Sequence, residues 1–109
     1  MSLKAIIYNG RDNTFIVEFQ DNGLVVDLSG MSKAQINVAS NSYNSVDNAA
    51  LFDITDKANG RITFILGDQG IVEGEYNATI VLFDAVNTNG IVWMHEDDDE
   101  PLILEFISD

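Results

Sequence analysis

Cysteine is absent from the 109-residue chain. No disulfide framework and no thiolate metal site is therefore available, and the fold does not depend on an oxidising compartment. Basic residues are scarce as well: five Lys and Arg stand against 18 Asp and Glu, a formal charge of -13. Phosphate binding needs a basic footprint, so nucleic acid is excluded as a direct partner. The same charge disfavours an anionic membrane surface. No apolar run approaches the roughly 20 residues of a membrane span. The start, Met1-Ser2-Leu3-Lys4-Ala5, lacks the apolar core of a signal peptide, which predicts a soluble protein made in the cytoplasm. Helix signals are nearly missing too.

What the chain has is alternation. Apolar residues make up 46% of it, enough for one core, and no linker or repeat divides residues 1–109, so a single domain is expected. Lys4 to Tyr8 reads as a strand stopped by Asn9-Gly10. Phe15, Val17 and Phe19 alternate with Thr14, Glu18 and Gln20, and Asn22-Gly23 signals a hairpin. Leu24, Val26 and Leu28 are expected to continue that inward face. Ala34, Ile36 and Val38 predict another strand, Asn41 to Asn48 an exposed loop, and Ala49 to Ile54 a short strand or one helical turn.

The stretch from Ile62 to Phe83 reads as two long strands joined by a turn and a corner, with Ile62, Phe64 and Leu66 sharing one face and Tyr76, Ala78, Ile80 and Leu82 another. Ile91 to Met94 and Leu102, Leu104 and Phe106 supply two more strands. About eight or nine antiparallel strands at this spacing predict an all-β sandwich or barrel.

Some strands are apolar on both faces. Val81 and Phe83, Val92 and Met94, Ile103 and Ile107 stand opposite the residues assigned to the core. A second apolar face must be covered by something. Another subunit or another protein is the expected cover, and these six residues are the candidate interface. The other reading is that the segment Asn41 to Ile54 folds over them. An acidic chain repels its own copies, so an oligomer must place apolar or neutral surface at the contact.

Chemistry is thin. The run Glu96-Asp97-Asp98-Asp99-Glu100 offers carboxylates to a calcium ion, which takes about six to eight oxygen ligands, and Asp97, Asp98 and Asp99 are the candidate ligands. The run lacks the alternating spacing and turning glycine of an EF-hand, and a solvated acidic turn that discourages sheet-edge pairing accounts for it equally. His95 is the only histidine; without cysteine it builds no zinc site, and no nucleophile elbow, phosphate loop or nucleotide fingerprint accompanies it. No cofactor other than calcium is suggested, and no catalytic residue is selected.

Two resemblances add to this. Gly74 followed by Tyr76 at the start of a long strand resembles the tyrosine corner of immunoglobulin-like sandwiches, with Ala78 where an antibody domain carries its second cysteine. Asp12-Asn13-Thr14-Phe15-Ile16-Val17, then Val26-Asp27-Leu28-Ser29-Gly30, Gly60-Arg61-Ile62-Thr63-Phe64 and Gly74-Glu75-Tyr76 occur in an order similar to the immunoglobulin-like N-terminal domain of phage baseplate upper proteins. That resemblance implies an immunoglobulin-like β-sandwich and a non-enzymatic structural module of a virion, in tail, baseplate or head. Its partners would be its own copies or other virion proteins. A calcium- or carbohydrate-binding module using the acidic run and Trp93 is the alternative.

Overall fold

The computed structural model describes residues 3–95 and 101–108. Period-two hydrophobicity becomes strand almost everywhere it occurs: β1 (Leu3–Tyr8), β2 (Phe15–Glu18), β3 (Gln20–Asp21), β4 (Leu24–Val25), β5 (Met31–Val38), β6 (Asn41–Asn44), β7 (Phe52–Asp53), β8 (Arg61–Phe64), β9 (Gly74–Asp84), β10 (Ile91–Met94) and β11 (Leu102–Ile107). Single 3-10 turns sit at Ala49–Leu51 and Lys57–Asn59. No helix among the described residues is long and apolar enough to cross a membrane.

The larger sheet runs β1-β11-β9-β5-β6, with β10 also on β9. The smaller runs β2-β8-β7, and β3 and β4 form a separate hairpin. β9 is the spine of the larger sheet. Its first half pairs with β11, from Gly74↔Phe106 to Ala78↔Leu102, and its second half with β10, from Ile80↔Met94 to Leu82↔Ile91. β10 and β11 thus follow one another along the same edge of β9.

The core forms where the inner faces of both sheets meet. Ile7, Ala34, Ile36, Ala78, Ile80, Leu104 and Phe106 from the larger sheet, and Val17, Ile62 and Phe64 from the smaller, are buried in one cluster. Phe15 stacks on Phe64 at 5.0 Å between ring centres, and Phe52 meets the same ring edge-on at 5.4 Å. Removing such area from water, at roughly 25 cal/mol per Å² of apolar surface, is what holds these short strands together. A strand pair standing alone is marginal.

Four expectations need correction. The strands are not all antiparallel: β1 pairs with β11 in parallel, from Leu3↔Leu102 to Tyr8↔Ile107. A parallel pair needs a long crossover rather than a hairpin, and here nearly the whole chain lies between the two partners. Second, the first of the two long strands expected between Ile62 and Phe83 is short: β8 ends at Phe64, and residues 65–73 lead from the smaller sheet to β9 in the larger. Third, the Asn/Ser-rich segment after Val38 is not wholly loop. Ala39 and Ser40, at φ 52° and 65°, make a two-residue turn that returns the chain as edge strand β6. Such a turn matches the right-handed twist of the flanking strands even without glycine. Fourth, Leu24 does not face inward. The predicted turn is present, with Asn22 and Gly23 both at positive φ, but the hairpin it closes stands off the core and leaves Leu24 73% exposed.

Candidate interaction surface

Gly74, at φ 150°, opens β9, and the Tyr76 hydroxyl donates a 2.7 Å hydrogen bond to the carbonyl oxygen of Val72. Its ring meets Phe106 edge-on at 5.9 Å. The bond ties the chain on its way out of residues 65–73 to the strand it is about to form. Gly74 and Tyr76 are therefore scaffold.

The outward row of β9 carries Thr79, Val81 and Phe83, which face Asn37, Gln35 and Lys33 of β5. Val81 and Phe83 are half-buried, and their own chain does much of the covering. Lys33 Nζ lies 4.3 Å from the centre of the Phe83 ring, a cation–π contact. From the other side Gly90, at φ 85°, presses its backbone onto both residues; a Cβ there would sit 2.5 Å from Val81 Cγ1 and 2.8 Å from Phe83 Cε2.

Val92 lies opposite Val81 on this face and is 53% exposed. Met94 does not share the face. The pairing shifts between Val92 and Met94, so that Met94 stands opposite Ile80, and both Trp93 and Met94 pack against the core. A bulge inserts one residue and turns the next side chains to the other face. The Trp93 ring meets Phe19 edge-on at 5.8 Å.

Ile103 and Ile107 are half-buried at the opposite end of β11, beside Lys4 and Tyr8 of β1. Asn77, facing Ile103, and Thr79 stand between them and Val81. Five of the six candidate interface residues therefore lie on the outer face, in two patches with a polar row between. The segment Asn41 to Ile54 forms the sheet edge and crosses to β7 rather than lying across this face; Val46 shares a recess with Lys33 and Phe83.

The loop end of the molecule escaped the sequence reading. β2 ends where β8 begins, at Glu18↔Arg61, and β5 begins where β9 ends, at Met31↔Asp84. Residues 19–30, 45–48, 54–60 and 85–90 consequently gather at one end. They are tied by Phe19 N–H to Gly60 O at 2.7 Å and Leu28 N–H to Lys57 O at 2.9 Å. Of nine exposed large apolar side chains among the described residues, six belong to this end: Leu24, Val25, Val46, Val86, Ile91 and Val92. Two small recesses open among them. One of about 160 Å³ lies between Val26, Met31, Ile91 and Trp93; another of about 350 Å³ lies between Lys33, Val46 and Thr88. Phe83 borders both.

Fixed polar turns carry two of these side chains, Val46 and Val86. Asp84 Oδ1 accepts from the backbone N–H groups of Val86 at 2.9 Å and Asn87 at 2.6 Å. Those bonds, Asn87 first, hold its carboxyl below the ordinary aspartate range. Asn44 Oδ1 likewise caps Val46 and Asp47 at 3.0 and 2.8 Å. Arg61 bridges Glu18 at 3.0 Å and Asp56 at 3.3 Å across the two strand ends, and the Gln20 amide and then Arg61 lower the Glu18 pKa. The hairpin turn was legible in the sequence; that it converges with the Asx-capped turns depends on sheet order alone.

A recess of about 690 Å³ lies at the opposite end between Ser40, Asn41, Val72, Glu75 and Tyr76. Glu75 sits 3.6 Å from Lys4, and the Tyr76 hydroxyl is bound to Val72. His95 is half-buried at the end of β10. Asp97, Asp98 and Asp99 lie outside the described residues. Among the described residues no three His, Asp or Glu side chains are grouped to hold a metal ion. No protein-family model matches the chain, and no curated protein sequence matches it either.

Proposed function

We propose that the chain is an immunoglobulin-like sandwich serving as a non-enzymatic assembly module of a phage particle, and that it docks on protein through its loop end. The sheet orders support the fold reading. β11-β9-β5-β6 follow the G-F-C-C′ order and β2-β8-β7 the B-E-D order of such domains, and the tyrosine corner falls two residues before buried Ala78. The virion role rests on the resemblance of four sequence segments to baseplate upper proteins.

One observation carries the docking: six of the nine exposed large apolar side chains among the described residues lie at one end, on the β3–β4 hairpin, the turns at residues 45–48 and 85–90 and the start of β10. Scattered surface hydrophobics are ordinary, whereas a gathered set marks a contact surface. Val46 and Val86, held on Asx turns, lose little entropy on docking, which favours affinity. The partner is a second copy or another protein of the particle.

Light scattering over a wide dilution series at two ionic strengths tests this. Self-association that weakens on dilution, strengthens with salt and disappears in Val92→Glu and Val86→Glu is the expected result. Both positions are exposed, so the variants keep their melting temperature. A mass that the two substitutions leave unchanged, or a monomer under all conditions, overturns self-assembly through this end.

A further inference from the structure

Sheet edges expose unpaired backbone groups, and proteins blunt them with short strands, bulges, charge or polar residues. Among the described residues the two sheets have five such edges, and three are blunted: β6 is Asn-Ser-Tyr-Asn, β7 has two residues, and β10 is bulged between Val92 and Met94. The fourth, β1, carries one Lys, and its edge is open. The fifth, β2, is Phe-Ile-Val-Glu and pairs only with β8. Its open edge faces the open edge of β1 across a groove of about 280 Å³ lined by Ala5, Ile6, Phe15, Ile16, Val17 and Leu102. Ile6 and Ile16, 48% and 62% exposed, are the two large apolar side chains on this side of the molecule.

We propose that the free edge of β2 is an acceptor site for one extended strand of a partner protein, with apolar residues at alternate positions and Lys or Arg at its ends. An extended backbone is the occupant that satisfies a row of strand N–H and C=O groups, at a strand spacing of about 4.8 Å. Alternate side chains then reach the apolar groove while the others point to solvent.

Charge decides between partners. Lys4, which lines the groove, is already matched by Glu105 and Glu75, and Arg61, opposite the last residue of β2, by Glu18 and Asp56. With a net charge of -13, a second copy is repelled and a basic strand is attracted. The site lies on the flank of the sandwich, away from the loop end, and stands independently of the docking proposed there.

The probe is a synthetic nine-residue peptide, Lys-Lys-Val-Thr-Val-Thr-Val-Lys-Lys, titrated into the full chain and followed by amide hydrogen exchange. Binding at low ionic strength with new protection at Phe15 to Glu18 is expected. A peptide N-methylated at alternate backbone positions, or one carrying Glu in place of Lys, binds at least about tenfold more weakly. Ile6→Lys combined with Ile16→Lys also weakens binding by placing charge in the groove. If that variant folds poorly, the two control peptides on the wild-type chain still decide.

Equal binding of the N-methylated peptide overturns the proposal, as does protection that appears at the loop end instead of β2. Protected Phe15 to Glu18 amides in a dimer without peptide would assign the edge to a second copy and also overturn it. Val92→Glu leaves peptide binding unchanged, so failure here and failure at the loop end are separable.

Discussion

Tyr76 shows how one side chain joins sequence to fold. Its ring lies half-buried against Phe106, and its hydroxyl holds the Val72 carbonyl. Tyr76→Phe keeps the ring and deletes the bond, leaving a carbonyl on an exposed residue that water can reach. A net loss of about 0.5–1.5 kcal/mol is expected, read as a lower urea midpoint with an unchanged slope.

Asp84 makes a prediction in pH. Its folded pKa lies below the ordinary 3.8 because it accepts the Asn87 and Val86 N–H groups. A depressed carboxylate contributes stability that is present above the unfolded value and is lost as pH falls through the folded value. Asp84→Asn keeps an acceptor but removes the charge. Wild type is therefore the more stable of the two near neutrality, and thermal melts show the gap closing as the pH drops below 3.8. A gap that is constant with pH would contradict the assignment.

The element scale separates what the sequence reveals from what it hides. Clean alternation gives Ala34, Ile36 and Val38, and Leu102, Leu104 and Phe106, as inner faces, and all six are buried. One face in water and one in the core leaves a periodic trace that needs no partner to be read. β6 leaves no such trace, because an edge strand of Asn and Ser has little to bury. Met94 misleads for another reason: the bulge before it is set by pairing with β9, which strict alternation ignores. The convergence of four loops was hidden because it depends on which strands neighbour each other. The turn that carries Gly90 tests this level directly. Gly90→Ala puts a methyl group at positive φ against Val81 and Phe83, and it destabilises by more than about 1 kcal/mol. The melting temperature falls by about 4–8 °C per kcal/mol in a domain of this size, and a neutral Gly90→Ala would mean that the turn repacks freely.

For the whole molecule the dominant fact is charge. Five cations cannot neutralise 18 acids, and two of them, Lys4 and Arg61, already stand between pairs of carboxylates. Those bridges are exposed and contribute little to stability. Folding gathers the remaining negative charges, so their mutual repulsion opposes it. Salt screens attraction and repulsion alike, with a Debye length of about 8 Å at physiological ionic strength. Repulsion is the larger sum here. The melting temperature therefore rises as sodium chloride is raised from very low to physiological levels, then flattens. Part of any such rise is general, because some salts strengthen apolar burial whatever the charge. A charge-reversing pair isolates the electrostatic part: Glu75→Lys with Glu73→Lys reduces the excess of negative charge by four, from -13 to -9, and shrinks the salt-dependent rise. An equal rise in the variant would show that salt acts through burial and not through the excess of acid.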